Sequence, residues 1–124
     1  MKLFVAALVA AVPATALHAQ TMPVSTFLTK ADALKKKGPL ALLSSDLGVL
    51  KQEVNNSAQA YAADVRTARK AGKLTHSCPP EGGSLSMNSD ELLAHLNSIP
   101  ARQRGMSIKA AFYGLMKKKF PCRR

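Results

Sequence analysis

Apolar residues recur at intervals of three and four along this chain, which is the spacing of one face of a helix. Gly38 and Pro39 mark the end of the first such stretch. That stretch predicts a helix over 24–37, and the residues 40–43 after it predict one further helical turn. The apolar face of the first helix consists of Val24, Phe27, Leu28, Ala31 and Leu34.

A second, longer helix is predicted over 46–71. Its apolar positions again lie three or four apart, at Leu47, Leu50, Val54, Ala58, Tyr61, Val65 and Ala68. This narrow, alanine-rich stripe is compatible with a coiled-coil seam, but packing inside a small bundle fits it better. Gly72 ends the helix, and the prolines and glycines within 73–86 predict a loop.

Two helices with recognisable N-caps are predicted after the loop. Asn88, with Glu91 three residues on, can cap the first, and Ser107 can cap the second. Pro100 closes the first helix and Pro121 the second. Their apolar faces consist of Leu92, Leu93 and Leu96 in the first helix and Ile108, Ala111, Phe112, Leu115 and Met116 in the second.

None of these stretches shows the alternation of apolar and polar residues that predicts a strand. The chain has no tryptophan, and its core must be built chiefly from aliphatic residues, which suits helices better than sheets. The sequence therefore predicts an all-α fold, a small disulfide-stapled bundle of four to five helices in one domain over 20–124.

The N-terminus has the pattern of a secretory signal peptide over 1–19. Lys2 supplies positive charge, residues 3–12 are uninterruptedly apolar, and small residues follow Pro13. The apolar run is too short to span a bilayer as a helix. Cleavage is expected after Ala19, with Ala16 as the alternative site, and a buried N-terminal helix is the alternative to a signal. We expect the mature protein in the bacterial periplasm.

Export decides how the two cysteines are interpreted. In an oxidising compartment Cys78 and Cys122 have one intramolecular pairing, with each other. Such a bridge ties the loop before the Asn88 helix to the end of the last helix and closes a helical hairpin. A zinc site that adds His76 and His95 is the alternative, but it lacks the close ligand spacing of structural zinc sites. No metal or cofactor is predicted.

The balance of charges is strongly basic, with 18 Lys and Arg against 7 Asp and Glu and a net charge of +11. Among residues 1–19, Lys2 is the one residue that contributes to the formal charge. Removal of this segment therefore leaves a net charge of about +10. This charge favours an acidic protein, an anionic glycan or lipid, or a nucleic acid as partner. Nucleic acid is disfavoured by export and because the basic residues do not follow an aromatic strip.

Two lysine runs, at 35–37 and 117–119, fall at the ends of predicted helices, where they complement the helix dipole. A docking patch for an acidic partner is the alternative interpretation of the first run. For 108–119, the alternative to a core helix is a basic amphipathic helix at a membrane surface. No stable membrane insertion is predicted.

Residues that would support catalysis are sparse. His76 and His95 are the histidines after the signal, and neither has an evident partner. His95 is expected beside the apolar face of its helix and His76 in an exposed loop. The loop serines lack a nucleophile motif, and no phosphate-binding glycine loop is present. The sequence predicts no catalytic residues and no enzyme.

An ordered set of motifs spans residues 78–122. They are Cys78-Pro79-Pro80, the capped helix from Asn88 with Leu92, Leu93 and Leu96, then Ile99-Pro100, Arg104, Ala110-Ala111, Leu115 and Phe120-Pro121-Cys122. This order resembles the C-terminal half of the Rap/Tai immunity proteins, which are small periplasmic helical proteins that neutralise peptidoglycan amidase effectors of type VI secretion. The first half of the chain departs from that family, whose members carry further cysteines there.

The resemblance implies a non-enzymatic protein that blocks the active-site cleft of a protein partner, such as an amidase effector. The predicted contact surface is the turn that holds Arg102, Gln103, Arg104 and Met106. We expect Arg104→Glu to abolish binding and to leave the melting temperature nearly unchanged. The alternatives are a periplasmic stress protein resembling the small acid-stress chaperones and a cationic binder of anionic envelope polymer. The sequence leaves open whether the protein forms a homodimer.

Overall fold

The computed structural model describes residues 22–82 and 87–123, so the predicted signal peptide lies outside the described residues. Within these ranges the backbone forms four α-helices and no β-strand, which confirms the all-α bundle. In the same ranges no helix is long and apolar enough to cross a membrane. The elements are α1 (Val24–Lys37), a 3₁₀ helix (Gly38–Leu43), α2 (Ser45–Lys70), α3 (Ser89–Ser98), a 3₁₀ turn (Ala101–Gln103) and α4 (Ile108–Lys119).

Helix α1 has the bounds that the sequence predicts, and all five residues of its predicted apolar face are buried. Gly38 ends the helix at a φ of +56°, a conformation that favours glycine. Gly38–Leu43 then forms the 3₁₀ helix, which we call the leucine turn. The Ser44 hydroxyl accepts a hydrogen bond from the Asp46 N–H (3.3 Å) and so caps α2.

Helix α2 is 26 residues long, which corresponds to about 39 Å. It packs against both α1 and α4, so the predicted packing inside a bundle is confirmed. Ser57 is buried although it was not part of the predicted face, and its hydroxyl donates to the Glu53 carbonyl (3.0 Å). The other buried residues of α2 are Leu50, Tyr61 and Val65.

The two predicted N-caps are confirmed. The Asn88 side-chain oxygen accepts from the Glu91 N–H at 2.8 Å, and the Ser107 hydroxyl accepts from the Ala110 N–H at 3.1 Å. Each cap satisfies a backbone donor that the first turn of a helix leaves unpaired. Local hydrogen bonds of the capping side chains therefore mark the starts of α3 and α4.

The core lies where α1, α2 and α4 meet, and α3 closes it on one side. Tyr61 and Phe112 are the largest of its fully buried side chains, with 1% and 0% of their surface exposed. Their rings meet edge to face with centroids 6.0 Å apart, a favourable geometry for an aromatic pair.

The beginning of α1 is joined to the turn that precedes α4. The Val24 N–H donates to the Met106 carbonyl at 2.9 Å. The Ser25 N–H donates to the Arg104 carbonyl at the same distance. These bonds satisfy donors at the first turn of α1 and fix the backbone of the turn at the same time.

The predicted disulfide between Cys78 and Cys122 is present, with Cα atoms 5.0 Å apart. It joins the loop after α2 to the residues that follow α4 and closes the predicted helical hairpin. Beside it, the Cys78 N–H donates to the Phe120 carbonyl at 2.8 Å. Because the two sulfurs are bonded to each other, they are not available as the thiolate ligands of the zinc alternative.

Candidate functional site

The predicted contact turn is only partly a free surface. The side chains of Arg102 and Gln103 are exposed, whereas those of Arg104 and Met106 are half-buried. The Arg104 guanidinium donates through Nε to the Ile99 carbonyl at 2.9 Å. Its Nη2 donates to the carbonyl of Asn97, at the end of α3, at 3.0 Å.

These two hydrogen bonds join the turn to the end of α3 through the Arg104 side chain. A cation at the C-terminus of a helix pairs with carbonyls that have no partner inside the helix. The prediction that Arg104→Glu leaves the melting temperature nearly unchanged did not include these two hydrogen bonds. Because the substitution removes both, we now expect it to lower the melting temperature. Arg102 and Gln103 remain available to a partner, and Arg104 is better described as the residue that holds their turn against α3.

We expect Arg104→Met to lower the free energy of unfolding by about 1–2 kcal/mol, because charge-assisted hydrogen bonds to two carbonyls are lost while the aliphatic stem is kept. Urea denaturation followed by circular dichroism measures the change. Arg102→Met is the matched control, since the Arg102 side chain is exposed, and it should stay within ~0.5 kcal/mol of the parent. Equal effects of the two substitutions would contradict the assignment.

A groove of about 500 Å³ opens between α1, the first half of α2 and the start of α3. Its floor is apolar, and Leu47, Val54 and Leu93 are only half-buried there. The bundle thus leaves apolar surface uncovered along this groove, as binding surfaces do. The apolar lining consists of Phe27, Ala31, Leu34, Leu47, Leu50, Val54, Met87, Leu92 and Leu93.

The rim of the groove is positively charged. Lys35 from the end of α1 and Lys51 from α2 line it, and both side chains are exposed. Among the described residues no carboxylate lines the groove. Asn88 and Ser89 lie at the positive end of the α3 dipole and complete the rim. An occupant with apolar side chains beside carboxylates would complement both the floor and the rim.

The nearby carboxylate of Asp46 does not neutralise this rim. Lys30 holds it in a salt bridge of 2.9 Å. The hydrogen bond and the charge of Lys30 lower the pKa of the Asp46 carboxyl, so this carboxyl stays ionised at neutral pH. Neither Lys35 nor Lys51 forms a salt bridge within residues 22–82 and 87–123.

The groove was not predicted from the sequence, although a signal for it was present. The predicted apolar faces of α2 and α3 include Leu47, Val54 and Leu93, which the folded bundle does not fully bury. Apolar positions in excess of those a small bundle can cover indicate a surface for a partner. Which helices border such a surface depends on tertiary packing, and the helical period does not contain that information.

The two histidines lie apart from the groove. The His95 Nε2 donates to the Ala111 carbonyl at 2.9 Å, so the ring joins α3 to α4. Burial, and to a smaller extent the charge of Lys118, lower the pKa of His95. His76 is exposed as expected, and its ring lies 5.9 Å from that of Tyr113. The structure does not bring the two histidines together.

A polar cluster beneath the disulfide loop serves to hold that loop. The hydroxyls of Tyr61 and Ser77 are hydrogen-bonded to each other, and both residues are buried. Tyr113 donates to the Asp64 carboxylate. Burial, and next the hydrogen bond with Asp64, raise the pKa of Tyr113, so its phenol keeps its proton.

Within the described part of the chain, no group of histidine, cysteine, aspartate and glutamate residues is arranged to hold a metal ion.

Three comparisons with known proteins identified no relative of this chain. No protein-family model matches the chain, and neither a curated protein nor a solved structure matches it.

Proposed function

We propose that this chain is an exported, non-enzymatic binding protein that acts as the Rap/Tai immunity proteins do, by blocking the active-site cleft of a peptidoglycan amidase effector in the periplasm. The observation that carries the proposal is the apolar groove with a lysine rim. This groove of about 500 Å³ lies outside the residues that carry the resemblance, except at the start of α3.

The residues that carry the resemblance support the scaffold. Cys78 and Cys122 form the disulfide, Asn88 caps α3, and Arg104 holds the end of that helix. Five apolar members of the set are buried, namely Leu92, Leu96, Ile99, Ala111 and Leu115, whereas Leu93 is half-buried at the groove. A rigid hairpin of this kind supports the exposed groove and is compatible with inhibition by occlusion, for which a binding surface should lose little conformational freedom.

The chemistry of the groove indicates the class of partner. Its floor accepts apolar side chains, and its rim attracts carboxylates. A net charge of about +10 in the mature chain would also accelerate encounter with an acidic protein. We therefore propose that the amidase presents a segment in which apolar residues are flanked by aspartate or glutamate. Arg102 and Gln103 would contribute a second, peripheral contact.

Inhibition of peptidoglycan hydrolysis tests the proposal. Purified type VI amidase effectors, beginning with any encoded beside this gene, would be assayed with increasing amounts of the mature protein. We expect inhibition by the parent, and the variant Lys35→Glu/Lys51→Glu should raise the inhibition constant by about tenfold or more because the rim becomes acidic.

The matched control is Lys70→Glu/Lys73→Glu. This variant changes the net charge by the same amount as Lys35→Glu/Lys51→Glu. Like that variant, it also reverses the charge of a lysine in the last turn of a helix. Lys70 lies about 28 Å along α2 from Lys51, so it is remote from the groove. This control should inhibit as the parent does. Equal loss in both variants would show that general charge and not the groove is responsible, and absence of inhibition by the parent would contradict the function itself.

A further inference from the structure

The leucine turn exposes three large apolar side chains in succession. Leu40, Leu42 and Leu43 have 67%, 78% and 85% of their surface exposed. Val49 in the second turn of α2 adds another, at 46%. Single exposed apolar residues are common on soluble proteins, but a group concentrated in one short element marks an interaction site.

The turn is held in place at its centre and at its end, so the leucines are presented outward. Ala41 is half-buried and packs against the core. The Ser44 N–H donates to the Ala41 carbonyl at 3.0 Å. Lys37 donates to the Ser44 hydroxyl at 3.4 Å. The salt bridge between Lys30 and Asp46 joins α1 to the start of α2 on the other side of the turn.

A run of lysines lies directly before the leucines in the chain. Lys35, Lys36 and Lys37 form the last turn of α1, immediately before the leucine turn, and all three are exposed. Residues 30–51 contain five lysines and two aspartates, so this segment carries a net positive charge. One of the two aspartates, Asp46, forms a salt bridge with Lys30. Exposed leucines beside lysines match a surface in which acyl chains lie beneath anionic head groups.

We propose that the leucine turn docks this protein on an anionic lipid bilayer, with the three leucines at the acyl boundary and the neighbouring lysines at the phosphate groups. The binding is peripheral and reversible. None of the three leucines lines the groove, although Lys35 lies at the border of both surfaces. The inference goes beyond the proposed inhibition of an amidase.

Exposure and charge favour the bilayer over other occupants. The leucines are exposed on a short turn and do not line the groove, and a deformable lipid phase accepts exposed apolar side chains without a preformed pocket. A second copy of the chain is disfavoured because both the leucine turn and the groove carry exposed lysines, and like charges repel across an interface. The turn joins α1 to α2, two helices that border the groove, so docking holds the groove near the membrane.

Vesicle co-sedimentation of the mature protein tests this inference. We expect binding to vesicles of phosphatidylethanolamine with phosphatidylglycerol, weakening as salt is added, and much less binding to phosphatidylcholine vesicles. Leu42→Ser/Leu43→Ser should reduce the partition coefficient by about tenfold or more, because both substituted side chains lose their apolar contact with the acyl boundary. Leu74→Ser is the control, since Leu74 is fully exposed outside the turn, and it should bind as the parent does.

Several outcomes would overturn the inference. They are no binding to the anionic vesicles, equal binding to phosphatidylcholine, or unchanged binding by Leu42→Ser/Leu43→Ser. Sedimentation velocity provides a further check: a dimer of the parent that this variant abolishes would make the turn an interface between copies. Inhibition of an amidase in solution should be unaffected by the leucine substitutions, so failure here and failure of the proposed function are distinguishable.

Discussion

Replacing Cys78 and Cys122 together with serine is expected to lower the free energy of unfolding by ~4 kcal/mol. The bridge closes a loop with a sequence separation of 44, and without it the unfolded chain regains the conformational entropy of that loop. For a domain of this size, such a loss lowers the melting temperature by roughly 15–30 °C. The native hydrogen bond between Cys78 and Phe120 at the same point would also be weakened.

Urea denaturation of the oxidised parent and of the serine variant measures this effect. Reduction of the parent by dithiothreitol provides the control, because it opens the same loop without a change of sequence and should reproduce the loss. A difference of less than ~1 kcal/mol between the oxidised and reduced parent would mean that the bridge is not a main support of the bundle.

Replacing Phe112 with alanine is expected to cost about 3–5 kcal/mol, the usual range for a fully buried aromatic residue. Phe112 has no exposed surface, and its ring packs edge to face on Tyr61. The substitution leaves a cavity between α2 and α4, the two helices that contact each other most. Apolar contacts on both sides of the cavity are then lost.

Two further variants make this experiment decisive. Leu74→Ala removes a similarly apolar but fully exposed side chain and should change stability by less than ~0.5 kcal/mol. Phe112→Leu refills part of the cavity and should recover a substantial part of the loss. If Phe112→Ala behaved like Leu74→Ala, the arrangement of α4 against α2 would be incorrect.

The elements that the sequence predicted well are those set by local chemistry. The spacing of apolar residues, the glycine at 38 and the caps at Asn88 and Ser107 act over only a few residues each. Their effects do not depend on how the helices are later packed. For this reason the helix bounds could be predicted from the sequence to within one or two residues.

What the sequence did not predict depends on contacts between distant segments. The Arg104 guanidinium pairs with carbonyls of Asn97 and Ile99 only because the turn folds back on α3. The groove exists only because three helices diverge around Leu47, Val54 and Leu93. Residues 40–43 were predicted as a helical turn, but the exposure of their leucines depends on which side of the turn faces the core.

Site-specific photocrosslinking tests the central proposal, that an amidase effector binds in the groove. A photoreactive residue at position 55 would lie in the groove, and one at position 67 would lie about 18 Å further along α2. Irradiation with a purified type VI amidase effector should give an adduct from position 55 and none from position 67. Adducts of equal yield at both positions, or an adduct from 67 alone, would contradict the account.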